Sequence, residues 1–422
     1  MSQPLEGMRV VDLSGLAGSY GTRLLAALGA DVVKVEPPGG SGLRRLAPFV
    51  EGAPEPDSSL WWAYLAMGTR SVVLDIAEQG GRESLGRLLA AADVVIDDRP
   101  PGLRGSAARR SRGPSGPAGG QERSEIPGDE MHRARAGLME EEGIGYDVVA
   151  EANPDVVWVS ITPFGLTGPK RHWATSNLVA WAASGVLYTT GFPDQPPVVP
   201  GGPAQLAMHA AAVNAAIGAM LGLRARRLHG HGQLIDLSVQ EATLVLSPEV
   251  GVPVFLDDRV HRARAGNRRS LSRPFGLYPC SDGYVSMLVL MPRHWDNLSA
   301  WIAETTGNDA VTDPVWNDVV LRAETAELID GWTEELTTSM TRLDFFREAQ
   351  ARGIPVTPVN TIEALRTDPH LDAVGFWQET DLPADGSVAI PGAPFRTNAG
   401  WWQTARAPRL GEHTDEVLAE VG

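Results

Sequence analysis

The sequence holds a single cysteine, Cys280, so it can build neither an internal disulfide nor a cysteine-ligated zinc site. That scarcity fits a reducing compartment, and a cytoplasmic location is the expectation. Positive charge is also scarce: 36 Lys and Arg stand against 52 Asp and Glu, for a formal net charge of -16. Nucleic acid is excluded as the main partner, because no basic excess exists to displace its counterions. A small anionic ligand is not excluded, since local arginines can hold one inside an acidic protein. No uninterrupted apolar run approaches membrane length. Met1–Val10 lacks the basic start and apolar stretch of a secretory leader, so no signal peptide is expected, and the absence of a spanning run sets the expectation of no membrane partner. The nine histidines are dispersed, with no H-E-x-x-H and no Cys/His cluster. His229 and His231, two apart in a glycine turn, read as turn residues, and no metal is expected. A G-x-S-x-G elbow is missing too. Thr167 and Ser176 lie near a glycine turn, but no histidine is placed by sequence to activate them. A dinucleotide fingerprint is absent: the turn after the first strand reads Gly15-Leu-Ala-Gly-Ser-Tyr-Gly21, with glycines at other spacings.

What is present is a large globular core. Hydrophobic residues make up 43% of 422, enough for two domains and against global disorder. Met8–Ser14 reads as a buried, β-branched strand, Gly15–Gly18 as a turn, and Tyr20–Leu28 as a helix capped by Gly29. Ala30–Glu36 is a second strand, closed by Pro37-Pro38-Gly39-Gly40. Strand, helix and strand with short turns make a right-handed βαβ unit. Arg70–Asp75, a helix over Glu83–Ala91 and the strand Asp93–Ile96 extend it. The fold class is therefore α/β, with a doubly wound parallel sheet.

From Gly102 to Gly137 the pattern breaks into Gly, Pro, Ser, Arg and Glu with no apolar period. A solvated, mobile insertion is the expectation, against a basic functional tail or a sequencing or gene-model artefact. Order resumes at Gly143–Asp147. Gln205–Leu228 reads as an alanine-rich helix with Arg224, Arg226 and Arg227 where its dipole favours cations. Gln233–Ser238 is a strand, and a helix continues from Glu241. Residues 270–330 look like a smaller α+β unit: Phe275–Cys280, the turn Ser281-Asp-Gly283, the strand Tyr284–Leu290 and helices containing Trp295 and Trp301.

The stretch Ser160–Gly185 concentrates the candidate chemistry. Asp155–Ile161 reads as a strand, Pro163, Gly165, Gly168 and Pro169 as a turn, and a small-residue helix starts near Ser176. An α/β protein usually places a ligand where a strand, a glycine turn and a helix start follow one another. Arg44, Arg45, Arg70 and Arg99 fall in or near loops after strands, where together they could frame an anionic nucleotide.

The chain resembles the family III CoA-transferases, the carnitine/bile-acid CoA-transferase (CaiB/BaiF-like) group that also contains α-methylacyl-CoA racemases. The matching pieces are Pro4–Ser14, Leu25–Gly39, Arg70–Asp75, Asp93–Gly102, Asn153–Pro169, Gly230–Ser238, Gly266–Arg268, Gly353–Val359 and Pro408–Thr414. They cover nearly the whole chain in order, with residues 103–139 as the one large segment lacking a counterpart. The resemblance implies a large Rossmann-like domain built from both chain ends, a smaller α+β middle domain and an interlocked dimer. Residues 1–228 would form the first part of the large domain, 229–335 the small domain and linkers, and 336–422 the return. Coenzyme A and acyl-CoA would be substrates, with no permanently bound cofactor and a carboxylic acid as the other reactant. By position, Leu16, Ala17, Arg70, Asp98, Arg99 and Thr162 match places that contact CoA in relatives.

In the transferases an aspartate after the Gly-Pro turn attacks the thioester, because a carboxylate is both nucleophile and, once acylated, carrier. Glycine-loop N–H groups would hold the developing oxyanion. Here Asn177 stands at the aspartate, and an un-ionised amide is a poor nucleophile. Ser176 stands where racemases carry a histidine, so the usual base is missing as well. His172 and His209 read as surface or helix-packing residues, Glu241 as part of a capping box with Ser238, and Asn177 as a cap for its own helix. Trp173 and Trp181 flank the site and suggest either an apolar acyl pocket or core. Three functions follow: CoA transfer between acids with Asn177 in place of Asp, a non-catalytic CoA-binding paralogue or partner subunit, or an acyl-CoA isomerase or lyase. A homodimer, or a hetero-oligomer with an active paralogue, is the expected assembly.

Overall fold

The computed structural model describes residues 3–99, 144–202, 204–246, 264–268, 272–383 and 386–422. The expected insertion at 103–139 lies outside the described residues. Two compact units are present. The larger takes Met1–Val186, Pro200–Leu256 and Gly375–Gly422, so both chain ends build it. The smaller takes Leu187–Val199 and Asp257–Val374.

The larger unit is organised on six parallel strands: β1 (Arg9–Asp12), β2 (Asp31–Glu36), β3 (Arg70–Val73), β4 (Val94–Asp97), β5 (Val157–Thr162) and β6 (Gln233–Ser238). Their order is β3-β2-β1-β4-β5-β6. The inner strands are valine-rich and buried on both faces, as a sheet covered by helices on each side requires. The winding runs outward from β1 to β3, then restarts on the other side at β4. That reversal leaves a crevice outside the carboxyl ends of β1 and β4, the usual ligand position in such sheets.

The helices of this unit are α1 (Leu16–Ala27), α2 (Leu60–Leu65), α3 (Gln79–Ala90), α4 (Tyr146–Ala152), α5 (Asn177–Ala183), α6 (Leu206–His229) and α7 (Val239–Leu244). α6 is long and apolar enough by composition to cross a bilayer, and half of that window is buried inside the fold. Its buried face is almost all alanine, which lets α1 approach closely. A Cβ on Gly21 of α1 would stand 2.3 Å from the Ala212 carbonyl oxygen, so glycine is required there. At the other end Arg226 pairs with Asp93 at 2.8 Å and donates to the Asp155 carbonyl, tying α6 to the strands.

In the smaller unit, β7 (Phe275–Cys280), β8 (Gly283–Leu288) and β9 (Val356–Pro358) form an antiparallel sheet. It packs with α8 (Pro292–Thr306), α9 (Ala326–Thr338) and α10 (Arg342–Ala351) around Trp295, Trp301 and Phe345. The chain then returns through the hairpin β10 (Trp377–Asp381) and β11 (Ser387–Pro391) to α11 (Thr414–Glu420). The expected boundaries at 229 and 335 fall differently. Gln233–Ser238 joins the large sheet by parallel pairing with β5, and Val356–Pro358 joins the small sheet by pairing with β8.

The return is anchored by ion pairs and backbone contacts. Arg406 pairs with Glu412, and Glu420 binds both Arg9 and Arg70. The Pro408 carbonyl accepts the Trp62 indole N–H at 2.9 Å. The Arg406 hydrogen bonds pull Glu412 down to about 2, and Arg70 lowers Glu420. Carboxylates with depressed values stabilise the fold above their unfolded value of 4.5 and lose that contribution as pH falls through the folded one. The protection factors of amides over 406–420, taken against intrinsic exchange at each pH, should therefore fall as pH drops from about 4.5 toward 2. Protection that stays flat across that window would contradict the anchoring role.

Candidate active site at the carboxyl edge of the parallel sheet

The turn from β1 into α1 is set by a buried ionic knot. Asp12 accepts from the Ser14 N–H at 2.8 Å, the Ser14 hydroxyl at 2.6 Å, the Thr22 hydroxyl at 2.6 Å and the Lys34 ammonium at 2.9 Å. Lys34 also donates to the Ser14 carbonyl at 2.6 Å and to the Ser19 hydroxyl at 2.9 Å. Side chains of Asp12 and Lys34 are 0% and 1% exposed, so every lone pair and proton needs its partner. This knot fixes the start of α1. The Ala17 N–H then donates to Asp98 at 3.1 Å, which joins α1 to the loop after β4.

Leu16, Ala17, Asp98, Arg99 and Thr162 follow the carboxyl ends of β1, β4 and β5 or close them, and so share one sheet edge. Arg99 folds back onto Asp97, with Nε and Nη2 at 2.6 and 2.7 Å from the two carboxylate oxygens. Thr162 is buried, and its hydroxyl has no partner among the described residues. Arg70 is the exception. It opens β3, in register with Val33, and binds Asp31, the first residue of β2. It therefore stands at the amino edge with Arg9 and Glu420, at the opposite end of the strands.

The four arginines expected to frame an anion do not all gather at one edge, since Arg70 stands at the amino end while the other three follow strands β2 and β4. Arg44 is fully buried, donates two hydrogen bonds of 2.7 Å to Glu36, pairs with Asp57 and lies 3.6 Å over the Trp62 ring. Arg45 donates to the Gly39 carbonyl. Carboxylates neutralise Arg44 and Arg70, whereas Arg99, paired with Asp97, stays on the edge that carries Leu16 and Ala17.

The path from β5 to α5 uses Gly165 and Gly168 at φ +88° and +81°, a region L side chains rarely adopt. The Leu166 N–H donates to both oxygens of Asp236, at 3.0 and 2.9 Å. That amide is committed to holding the loop on β6, so it is not an open oxyanion donor. Ser176 caps α5, its hydroxyl accepting the Val179 N–H at 3.3 Å. Asn177 follows, 8% exposed. Its Oδ1 accepts the Ala207 N–H at 3.0 Å.

Asn177 thus caps α6 rather than its own helix. Gln205 precedes α6 at φ 53° and supplies no side-chain cap, so Asn177 takes that role from thirty positions away. The start of a 24-residue helix carries partial positive charge. A carboxylate at this position would be held in its charged form, while the amide offers only a hydrogen-bond acceptor.

The remaining candidates are placed as follows. Ser238 accepts the Glu241 N–H at 3.2 Å, as a cap. His172 is exposed. Trp173 is exposed and edge-on to Phe164, whereas Trp181 is buried. His209 sits in the first turns of α6 with its ring between Tyr20 and Trp61, at centroid distances of 5.4 and 5.8 Å. Tyr20 and Trp61 drew no functional reading from sequence, because ordinary core helices carry aromatics at the same spacing.

A parallel sheet of this order, with a knotted first turn and a capped second helix start, has close relatives. The model of CoA-transferase family III matches residues 5–108 and 131–414, and the chain belongs to that family. The unmatched interval is 109–130, so the family model covers both ends of the 103–139 segment expected to lack a counterpart. The chain is 30% identical to succinyl-CoA:(R)-benzylsuccinate CoA-transferase subunit BbsE of Thauera aromatica, covering 100% of this chain and 95% of that protein. It is 29% identical to the alpha subunit of succinyl-CoA–L-malate CoA-transferase of Chloroflexus aurantiacus, over 99% and 89% of the two chains. A crystal structure of a CaiB/BaiF family protein from Brucella suis matches with a TM-score of 0.82 at 25% identity, over 100% of both chains.

Proposed function

We propose that the chain is a subunit of a CoA-transferase that moves CoA between an acyl-CoA and a carboxylic acid. The supporting observation is the gathering of Leu16, Ala17, Asp98, Arg99 and Thr162 outside the β1/β4 switch point, on the edge that leads into the Asn177 turn. CoA would lie along that edge as a substrate that enters and leaves. Arg70 drops out of the contact set because it faces the opposite edge. Transfer needs a carboxylate that attacks the thioester carbonyl and expels the CoA thiolate, giving a mixed anhydride. The thiolate then attacks the enzyme-side carbonyl, the donor acid leaves, and the acceptor acid takes CoA from the enzyme thioester by the same two steps reversed. Asn177 cannot do this. A second family member, bearing an acid at the equivalent place, would supply it.

Two of the relatives are themselves named as subunits. The outer face of α6 supports such an assembly. Val213, Ile217, Met220, Leu221 and Leu228 are exposed there at helical spacing, an apolar stripe that a second subunit would cover. Ile217→Asp combined with Leu221→Asp should shift sedimentation toward monomer, and an unchanged profile would argue against this face. Proton exchange on the acyl α-carbon gains no support, since Ser176 spends its hydroxyl on the α5 cap.

The test is incubation with succinyl-CoA followed by peptide mass spectrometry. The expected result is CoA binding without an adduct at residue 177, and transfer that appears only when an acid-bearing paralogue is added. A covalent adduct at an intact Asn177, or full transfer by the chain alone, would overturn the subunit reading.

A further inference from the structure

His209 combines three features that ordinary packing does not require. Its Nδ1 is buried with no hydrogen-bond partner among the described residues. Its ring lies edge-on to Tyr20 at 5.4 Å and stacks on Trp61 at 5.8 Å. It stands two residues beyond Ala207, whose N–H Asn177 holds. Tyr20 is one turn into α1 from Leu16 and Ala17. Tyr20 thus stands one turn after the residues assigned to CoA, and His209 in the first turn of the helix whose start Asn177 caps.

Nδ1 is closed to solvent with no acceptor beside it among the described residues, which leaves the ring's proton on Nε2, the nitrogen through which a ligand can be met. Burial holds His209 below its ordinary value and so neutral at pH 7, with one N–H donor and one acceptor. The groups around it are Tyr20 and, behind it, Tyr64 and Arg23. Burial raises the Tyr20 phenol, which stays protonated. Arg23 is 4% exposed, lies 4.0 Å over the Tyr64 ring, and has no carboxylate partner among the described residues. The cluster thus carries donors and one uncompensated positive charge, and no acid. That favours an electron-rich oxygen beside apolar carbon.

We propose that His209, walled by Tyr20 and Trp61, is the specificity-determining contact for the carboxylic-acid portion of the substrate. Its imidazole N–H donates to an acyl or carboxylate oxygen, while the two rings cover the carbon chain. The inference rests on the CoA-transferase reading and names the pocket that reading leaves open. His209 is a recognition residue and takes no part in bond making.

The experiment is calorimetric titration of the wild type, His209→Phe and His209→Asn with succinyl-CoA and, separately, with free CoA. The wild type should bind succinyl-CoA more tightly than CoA. His209→Phe should erase that difference, a loss of about tenfold for succinyl-CoA, with CoA affinity held within about twofold. His209→Asn keeps a donor and should restore most of the difference. Wild type without a preference, a preference that survives in His209→Phe, or equal loss for both ligands would each overturn the proposal. Should His209→Phe fail to fold, His209→Asn and the part of the tryptophan fluorescence quenching that is lost in Trp61→Phe decide. Quenching by succinyl-CoA beyond that by CoA is expected, and identical quenching is contrary. A wild type that binds neither ligand would instead refute the CoA reading on which the proposal stands.

Discussion

Asn177→Asp should raise the chain's own CoA-transferase turnover by at least about a thousandfold. Removing the nucleophile of a cooperating site costs on the order of 10⁴ to 10⁶ in rate, so restoring it recovers a large part of that. The geometry favours recovery. An aspartate here keeps the acceptor for the Ala207 N–H, now 3.0 Å from the amide oxygen. It also gains the positive end of α6, which stabilises the ionised form. Its neighbours are unchanged: Ser176 still caps α5, and Leu166 is still held by Asp236. Initial rates with succinyl-CoA and a panel of dicarboxylic acids measure the effect, and hydroxylamine trapping locates the acyl-enzyme. An inert variant with intact CoA affinity would mean that more than the nucleophile is missing. Asn177→Leu should lose about 1 kcal/mol of stability, because the α6 start then lacks its cap.

Lys34→Met should lower the unfolding free energy by about 3–5 kcal/mol, read as a shift of the urea midpoint. The substitution leaves the Asp12 carboxylate charged and buried, with the Ser14 and Thr22 donors but no cation. The same change frees the Ser14 carbonyl and the Ser19 hydroxyl, so the α1 start loosens along with the core. CoA affinity should fall together with stability, since Leu16 and Ala17 are positioned by that turn. A loss below about 1 kcal/mol would show that the knot is hydrated or replaceable.

Much of the fold is legible in the β-branched runs. β1, β2, β4 and β5 announce themselves as buried strands, and the spacing between them allows only helical crossovers. α1 begins earlier than its sequence suggests, at Leu16 rather than Tyr20. Its glycines look like turn residues, yet Gly18 faces Ser14 and Gly21 faces the Ala212 carbonyl, so close packing selects them. β6 lies beyond the expected boundary at 229 yet is the edge strand of the large sheet. Its alternating half-exposed pattern resembles the small antiparallel sheet more than the buried parallel one.

The site was legible in its turn residues and misread in its partners. Arg70 opens a strand, which already fixes it at the amino edge, whereas its position in the family pattern suggested the other end. The role of Asn177 depends on a helix start thirty residues later, and no local pattern carries that information. Arg44 looks like an anion ligand in sequence, but Glu36 claims it through contacts that only the folded loop creates.

The most direct test is a crystal structure of the chain with CoA bound. The pyrophosphate and pantetheine are expected along the crevice outside β1 and β4, within hydrogen-bonding reach of the Leu16 amide and in contact with Ala17, with the thiol directed toward Asn177. CoA seated at the amino edge beside Arg70 and Glu420, or no binding at saturating concentration, would contradict it.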